Sequence, residues 1–371
     1  DTEAFRSSHF AMNNKPQSIC GLSALEHRQK PRGGGLSQRI RFTHTHNTII
    51  SVENLLDAWV EFVRGKRTRA DVLTFGRDLM TNVLALHRDL ADGTYTHGGY
   101  EHFKINDPKP RDIHKASVRD RLVHHALYRQ LYLFFDRTFI ADSYSCRDGK
   151  GTHKAMNRFR DFARKVSKNN TRTCWVLKCD IRKFFASIDH ETLIAILHTY
   201  IPDDRLLKLL SNTISSFCST PGVAQRGLPL GNLTSQLLVN IYMNEFDQFV
   251  KHTLKAKYYI RYADDFVFLS HDKQELEMLL VQVRDFLCDR LKLELHPNKV
   301  SIATLSSGID FLGWVHFPDH RVLRTSTKRR MMRRLAGSPC EETMASYRGM
   351  LEHGNTYKLK QVLPDLPSDG R

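Results

Sequence analysis

The stretch from Tyr258 to Ser270, YYIRYADDFVFLS, restricts the possible folds of this chain more than any other feature. Two apolar runs that read as β-strands are interrupted by the adjacent carboxylates of Asp264 and Asp265. Aspartate is depleted from strands, so the pair does not help a sheet to form. Two neighbouring carboxylates also repel each other unless a cation lies between them. The pattern therefore predicts a β-hairpin whose tip is either an ordinary turn, which aspartate tolerates, or a cation site.

A second acidic strand, within Cys174 to His190 (CWVLKCDIRKFFASIDH), supplies a third carboxylate. The run is apolar up to Asp180 and leaves the strand through Phe184 and Phe185, and a helix is predicted to begin near Asp189. Three carboxylates, one at a strand end and two at a neighbouring hairpin tip, can hold two Mg²⁺ ions about 4 Å apart. Such ions activate a 3′-hydroxyl and stabilise a pyrophosphate leaving group in an in-line phosphoryl transfer. Neither acidic site is specific alone, but together they favour a nucleotidyl-transferring enzyme.

The overall charge of the chain favours a polyanionic partner. Its 371 residues carry 56 Lys and Arg against 40 Asp and Glu, which gives a formal net charge of +16. A hydrophobic content of 41% supports the core of one large domain or of two to three smaller units. Nucleic acid is the leading candidate for the partner, and a basic protein without such a partner is the alternative.

The sequence contains no feature of a membrane or secreted protein. No uninterrupted apolar run approaches the ~20 residues of a membrane span, and the N-terminus lacks the apolar stretch of a signal peptide. The seven cysteines are scattered without a C-x-x-C pair, which argues against a zinc site and against a disulfide framework. The expectation is a cytoplasmic protein whose cysteines are reduced packing residues.

The N-terminal third combines a loop-like segment with helices and a hairpin. Residues 1–48 show no persistent period and include KPRGGGLSQR, so a flexible basic extension is predicted. Apolar residues at helical spacing from Ile50 to Leu90 predict two amphipathic helices. The segment YEHFKINDPKPRDIHKA alternates and then breaks at NDP, which predicts a hairpin that carries Lys109 and Arg111.

Five segments resemble the motifs of reverse transcriptases, and they follow one another in the order of the motifs in that family. CDIRKFFASIDH resembles the first palm aspartate motif, and YADD resembles the polymerase signature. RGLPLGNLTSQLLVNIYMNEFDQF resembles the template- and nucleotide-binding helix motif. LKLELHPNKVSI resembles the following palm motif with its lysine, and GIDFLGWVHF resembles the primer-grip hairpin. Upstream, DPKPRDIHKASVRDRLVHHAL and DSYSCRDGKGTHKA resemble fingers motifs of bacterial, group II intron-like members. The resemblance extends from about Ile50 to Leu323.

The resemblance implies the catalytic residues. Asp180, Asp264 and Asp265 would bind two Mg²⁺ ions, and the Ile181 carbonyl would add a neutral oxygen of the kind that hard cations accept. Lys299 would protonate the pyrophosphate or neutralise its charge. A solvated lysine is the alternative at that position.

The resemblance also implies the residues that contact the nucleotide and the primer. Lys109 and Arg111 would fold over the incoming triphosphate, where a guanidinium can bind two phosphate oxygens, and Phe185 would exclude a ribose 2′-hydroxyl. The alternatives are a basic surface hairpin for Lys109 and Arg111 and core packing for Phe185. Further dNTP contacts are expected from Gly231 and Gln236, and the primer grip from Phe311, Leu312, Gly313 and Trp314.

The central helix motif departs from the pattern of most reverse transcriptases. Many carry Gln-Gly before the central triplet and Ser-Pro after it, whereas this chain has Leu230-Gly231 and Ser235-Gln236. This variant resembles the reverse transcriptases of diversity-generating retroelements, which are bacterial or phage-encoded. The likeness implies errors concentrated at template adenines and a small basic accessory protein as partner. After Gly313 the chain has space for a short basic thumb that begins in STKRRMMRRL, but not for maturase, DNA-binding or endonuclease regions.

The combined expectation is an α/β (α+β) right-hand polymerase that copies template RNA into cDNA on a primer strand, using dNTPs and two Mg²⁺ ions. Its expected divisions are an extension at 1–48, fingers at 49–170, a palm with an interleaved fingers segment and the primer grip at 171–323, and a thumb at 324–371. Two alternatives within the enzyme class are a defence-associated and a group II intron-like bacterial reverse transcriptase. The alternative from another class is a catalytically idle RNA-binding protein on a polymerase scaffold.

Overall fold

The structure is a computed structural model that describes residues 40–106, 110–219, 225–337 and 340–361. The chain divides into two compact units, each built from two separate stretches of sequence. Among the described residues, the first unit comprises those up to Thr138 together with Ile188–Ile241, and the second comprises Phe139–Ser187 together with those from Tyr242 onward. The predicted division into fingers, palm and thumb stays a prediction.

The elements alternate between helices and short strands. In the N-terminal half they are α1 (His46–Ile50), α2 (Val52–Phe62), α3 (Ala70–Arg77), α4 (Leu79–Asp92), β1 (Tyr100–Ile105), β2 (Arg111–Ala116), α5 (Val118–Phe135), α6 (Thr152–Val166) and β3 (Trp175–Asp180). These are followed by α7 (Phe184–Ser187), α8 (His190–Tyr200), α9 (Asp204–Ser215), α10 (Leu233–Gln248), β4 (Tyr259–Tyr262), β5 (Asp265–Ser270), α11 (Lys273–Leu291), β6 (Ser301–Thr304), β7 (Ile309–Phe311), β8 (Trp314–His316), β9 (Arg321–Leu323), α12 (Thr325–Leu335), α13 (Glu341–Leu351) and α14 (Tyr357–Lys360).

The helices of the first unit differ from the prediction in one respect. Helix α2 begins as its sequence predicts, because the Ser51 hydroxyl accepts a hydrogen bond from the Asn54 N–H, and it buries an apolar face that packs on α5. The second predicted helix is two helices, α3 and α4, so the prediction of two helices over this region was wrong. Asp78 separates them because its backbone (φ −114°, ψ 39°) leaves the helical region.

The chain before α1 lies only partly within the described residues. The extension predicted at 1–48 falls outside them up to residue 39. From Ile40 onward the chain packs on the first unit: the Phe42 side chain is buried, and its N–H donates to the Tyr200 carbonyl at 2.8 Å. Residues 40–48 are therefore part of the folded first unit.

The predicted basic hairpin is confirmed. Strands β1 and β2 pair antiparallel, with Tyr100 opposite Ala116 and Ile105 opposite Arg111. Lys109, which was predicted to lie on this hairpin, is outside the described residues.

The second unit contains a four-stranded antiparallel sheet in the order β4-β5-β3-β6. Val176, Ile260 and Val267 of this sheet share a buried cluster with Phe159 and Phe162 of α6, and α11 packs on β3, β5 and β6. The apolar residues of β3 lie between two partner strands because β3 pairs with both β5 and β6. This central position fixes the register of β3 from both sides.

A smaller antiparallel sheet, β7-β8-β9, leads into the C-terminal helices. Trp314 of β8, Met331 of α12, and Met344 and Leu351 of α13 form one buried cluster in the second unit. The cluster shows why the strongly basic α12 is ordered: its apolar side is covered although much of the helix is charged.

The fold class predicted from the sequence is confirmed as mixed α and β with antiparallel sheets. Of the six cysteines in the described ranges, Cys174 and Cys179 are buried and Cys146 is half-buried, whereas Cys218, Cys288 and Cys340 are exposed, so the prediction of packing residues was wrong for these last three. Within those ranges, no helix has the length and apolarity that a membrane crossing requires.

Candidate active site

The paired strands of the second unit bring three predicted carboxylates to one end of the sheet. Strand β3 ends at Asp180, which lies opposite Asp265, the first residue of β5. Asp264 immediately precedes β5, and its carbonyl accepts a hydrogen bond from the Ile181 N–H at 3.2 Å. Strand pairing therefore accounts for the convergence of residues that are far apart in sequence.

The turn between β4 and β5 has an unusual backbone at Ala263. Tyr262 pairs with Asp265 across the hairpin, so that Ala263 and Asp264 form its tip. Ala263 has φ +55°, in the left-handed region, which costs a residue with a Cβ about 1–2 kcal/mol. Such backbone persists only where surrounding contacts enforce it, and it is found most often at functional sites.

Burial and mutual repulsion perturb the two adjacent aspartates. Burial raises the pKa of Asp264 to about 6, and the negative charges of Asp180 and Asp265 act in the same direction. Burial also raises the pKa of Asp265, although the nearby Lys178 ammonium opposes the shift. Within the described part of the chain, Oδ1 of Asp265 is buried without a hydrogen-bond partner. The carboxylates form a cluster of negative charges that repel one another, and a bound cation would reduce this repulsion.

The predicted catalytic lysine contacts the first carboxylate directly. Lys299 Nζ donates to Oδ1 of Asp180 at 2.8 Å. The backbone of the same segment is held as well, since the His296 N–H donates to the Asp180 carbonyl at 2.8 Å. The structure thus places Lys299 beside the carboxylates, where its charge offsets part of their repulsion.

The donor set fits a hard divalent cation in its chemistry. Among the described residues, no three His, Cys, Asp or Glu side chains are grouped closely enough to form a complete metal site. The Lys299 ammonium bonds to one of the oxygens that such a site would need. Carboxylate oxygens are nevertheless the ligands that Mg²⁺ prefers, and Oδ1 of Asp265, which no described residue hydrogen-bonds, is one of them. Asp180, Asp264 and Asp265 are the residues that would hold the ion.

Three further charged residues beside Asp265 were not predicted. Lys178 Nζ lies 3.8 Å from Oδ1 of Asp265 and donates to the Asp310 carbonyl at 2.6 Å. Arg324 Nε donates to the Asp310 carboxylate at 2.7 Å. These contacts link Asp265 to strand β7 and to the residue before α12. Lys178 could have been recognised, because it is the one charge inside the apolar run WVLKC.

The predicted primer grip is a tight hairpin between β7 and β8. Leu312 (φ +52°) and Gly313 (φ +85°) form its two-residue turn, and positive φ at both positions is the mark of the type I′ turn that suits twisted hairpins. Phe311 is fully buried, and Trp314 is packed in the cluster with Met331. Trp314 therefore packs in the core, and contact of this hairpin with a primer stays a prediction.

The two phenylalanines that follow β3 differ in burial. Phe184 is buried, whereas Phe185 is only half-buried, and their rings meet edge to face with centroids 5.6 Å apart. Phe184 therefore serves the core. The ring of Phe185 is partly available to a ligand, as a nucleotide gate requires, and its role stays a prediction.

The remaining nucleotide-contact candidates lie in the first unit. Arg111 is exposed on β2, and Gln236 is half-buried on α10. The Leu230 carbonyl accepts from the His114 N–H at 3.1 Å, which joins the loop before α10 to β2. These positions stay predictions, as does Lys109.

Glycine is required at position 231 for two reasons. Its φ of +103° is one that residues with side chains rarely adopt, and an added Cβ would lie 3.0 Å from Cγ2 of Ile113. The loop therefore approaches β2 closely because Gly231 has no side chain.

Comparison with known proteins shows which family and which relatives the chain is similar to. A model of the family described as "Reverse transcriptase (RNA-dependent DNA polymerase)" matches residues 104–316. The chain is similar to Protein YkfC of Escherichia coli (strain K12), with 27% identity over 269 residues, covering 63% of this chain and 68% of that protein. It is also similar to the group II intron-encoded protein LtrA of Lactococcus lactis subsp. cremoris, with 23% identity over 311 residues, covering 66% of this chain and 50% of the relative. The chain thus spans about half the length of LtrA.

Among solved structures, the chain is similar to apo telomerase from Candida tropicalis truncated from the C-terminal domain. The TM-score is 0.46 and the identity 12%, and the match covers 66% of this chain and 60% of that one.

Proposed function

Because the chain belongs to the reverse transcriptase (RNA-dependent DNA polymerase) family, we propose that it extends a primer strand with dNTPs by copying a template RNA into cDNA. The observation that carries the proposal is the convergence of Asp180, Asp264 and Asp265 at one end of the β3–β5 pair. The raised pKa values of Asp264 and Asp265, and the buried Asp265 oxygen that has no hydrogen-bond partner among the described residues, support a cation-assisted reaction at this position.

Each residue of the site has a distinct part in this proposal. Asp180, Asp264, Asp265 and the Ile181 carbonyl would hold two Mg²⁺ ions, which when bound favour the ionised primer 3′-hydroxyl and neutralise the pyrophosphate. The ionised form of Asp264, which burial disfavours, would be restored by a bound cation. Lys299 Nζ would exchange its bond to Asp180 for the pyrophosphate and could donate a proton to it.

Selection of the substrates would fall to residues around this centre. Phe185 would exclude ribonucleotides by its bulk, and Lys109 and Arg111 would bind the triphosphate. Gly231 and Gln236 would contact the nucleotide from the central helix motif. The net charge of +16 supports a template RNA and a primer strand as the polyanionic partners.

We further propose that copying is error-prone, as in diversity-generating retroelements. The support is Leu230, which stands where many reverse transcriptases have a glutamine. An amide there can hold the new base pair by a hydrogen bond of ~1 kcal/mol, whereas leucine cannot, and 1.4 kcal/mol is about a tenfold change in selectivity. Errors would concentrate at template adenines, and a small basic accessory protein would assist the enzyme.

A group II intron-like enzyme is the second candidate, because the chain is similar to the intron-encoded protein LtrA. The test is to sequence cDNA made by the purified chain from an RNA template, a DNA primer, dNTPs and Mg²⁺. We expect more errors at adenines than at the other three bases, and fewer such errors with Leu230→Gln. Equal error rates at all four bases would favour the intron-like or the defence-associated alternative. If RNA is bound but no primer is extended, the protein is a catalytically idle RNA-binding protein.

A further inference from the structure

Arg261 forms a completely buried ion pair that the proposed reaction does not use. The residue lies on β4, three positions before Asp264, and its side chain is fully buried, as is that of Asp247 on α10. Nε of Arg261 donates to Oδ1 of Asp247 at 2.8 Å, and Nη2 donates to Oδ2 at 2.7 Å. A buried ion pair is weak evidence for stability, because desolvation of the two charges opposes their attraction. Its presence beside the aspartate turn calls for another explanation.

The remaining donors of the guanidinium reach two other segments of the second unit. Nη2 donates to the Ser143 hydroxyl at 3.0 Å, and Nη1 donates to the Ala263 carbonyl at 3.2 Å. The Arg261 backbone is also fixed, because its N–H donates to the Asp142 carbonyl at 3.0 Å. One side chain thus joins α10, the segment around Ser143 and the tip of the β4–β5 hairpin.

The contact with the Ala263 carbonyl bears directly on Asp264. That carbonyl belongs to the peptide group between Ala263 and Asp264, and Ala263 has the left-handed φ of +55°. The next peptide group is held from the other side, since the Asp264 carbonyl accepts from the Ile181 N–H at 3.2 Å. Asp264 therefore lies between two peptide groups, one held by Nη1 of Arg261 and the other by the Ile181 N–H.

We propose that Arg261 is a positioning residue for polymerisation: its ion pair with Asp247 aims Nη1 at the Ala263 carbonyl and so fixes the position of Asp264. The inference rests on the proposed function, since it assigns Arg261 to the reaction in which Asp264 holds a metal ion. Only a planar guanidinium, with five N–H donors in a fixed fork, can bind the carboxylate with two bonds and reach the carbonyl as well. A lysine keeps the charge but loses that geometry.

The test compares Arg261→Lys with Tyr259→Phe in the full chain. Tyr259 Oη donates to the same Asp247 carboxylate at 2.7 Å, so Tyr259→Phe also removes a buried hydrogen bond from it while leaving the Arg261–Ala263 contact intact. For Arg261→Lys we expect kcat for single-nucleotide extension to fall about 100-fold well below Tm, because a shift of about 1 Å in a reacting group has an effect of that size. The KM for dNTP and the Kd for a primer–template duplex should stay unchanged.

Amide hydrogen exchange of Ile181 provides a readout that does not depend on activity. It should accelerate in Arg261→Lys and stay slow in Tyr259→Phe, which should lower Tm but keep kcat near the wild-type value. If Arg261→Lys keeps its kcat, or if kcat follows Tm equally in both variants, the proposal is wrong.

A second variant covers the case in which Arg261→Lys does not fold. The double variant Arg261→Gln/Asp247→Asn removes both charges together, so that neither is left buried alone, and it should show the same loss of kcat and the same faster exchange at Ile181. If neither variant folds, Arg261 is a folding residue and the proposal is overturned. If the wild-type chain extends no primer, the proposed function fails, and the exchange of Ile181 still decides whether Arg261 holds the turn.

Discussion

Asp180 lies directly opposite Asp265 in the pairing of β3 with β5, and the same central strand is flanked on its other side by β6. Lys299, which donates to Asp180, lies just before β6. Asp265 on β5 and Lys299 just before β6 thus reach Asp180, at the end of β3, from its two neighbouring strands. The strand order β4-β5-β3-β6 therefore determines which charged residues meet at the site.

Asp264→Asn should abolish Mg²⁺-dependent dNTP incorporation. The substitution removes a negative ligand, and a metal ion contributes several kcal/mol to such a reaction, so a loss of at least about 1,000-fold is expected. RNA binding should stay nearly unchanged because the basic surface is intact. Primer extension and an RNA-binding titration check the two parts, and continued synthesis by the variant would contradict the metal assignment.

The same substitution should stabilise the metal-free protein at neutral pH. Burial raises the folded-state pKa of Asp264 from 3.8 to about 6, so its contribution to stability is fully present below pH 3.8 and is lost as the pH rises through 6. Asparagine does not ionise, so the variant does not lose this stability as the pH rises. The free energy of unfolding of Asp264→Asn, relative to wild type, should be higher at pH 7.5 than at pH 4.5 by on the order of 2 kcal/mol. Urea unfolding in EDTA measures it, and a pH-independent difference would refute the expectation.

Phe185→Val should admit ribonucleotides, because it removes the bulk that would oppose a 2′-hydroxyl. Phe184→Val is the matched control. Its ring is buried, so we expect it to lower stability by about 1–3 kcal/mol without changing the selectivity between dNTPs and NTPs. Single-nucleotide extension with each nucleotide type measures the selectivity. Unchanged discrimination in Phe185→Val would place the gate elsewhere.

Gly354→Ala should destabilise the C-terminal cluster. A Cβ at position 354 would collide with the ring of Trp314, which is buried among Met331 and its neighbours. We expect a loss of about 1–3 kcal/mol, as for overpacked cores. Gly349→Ala is the control: Gly349 lies in α13 with nothing near its Cβ position, so alanine should stabilise by up to about 1 kcal/mol. Equal Tm shifts in the two variants would disprove the collision.

Binding of template RNA should weaken steeply as salt concentration rises. Each phosphate contact of a Lys or Arg releases a condensed counterion, with a slope of about −0.7 to −0.9 per contact in a plot of log K against log salt. Fluorescence anisotropy between low and physiological salt gives the slope. A flat dependence would mean that the net charge of +16 serves another purpose.

Local features of the site could be predicted from the sequence. The end of β3 at Asp180 and the hairpin around Asp264 follow from apolar runs that stop at charged residues. The helix start predicted near Asp189 is confirmed, since its carboxylate accepts from the Thr192 N–H and caps α8. Each of these depends on a few neighbouring residues, which is the range over which sequence patterns carry information.

Contacts between distant segments could not be predicted in the same way. The period of a strand does not say which strand lies beside it, so the flanking of β3 by both β5 and β6 was not apparent. The long side chains of Lys178 and Arg261 reach partners that are close only after folding. The break at Asp78 was missed because the apolar helical period continues through it.

The order of segments along the chain has a consequence for how the protein is made. Asp180 and Asp265 belong to the second unit, yet Ile188–Ile241, which lies between them in sequence, belongs to the first. Because a ribosome releases the chain from its N-terminus, every residue of the first unit is synthesised before β5 can pair with β3. A nascent chain therefore cannot bring Asp180 and Asp265 together until the other unit has been synthesised. The topology thus makes the pairing of these carboxylates wait for the synthesis of the first unit.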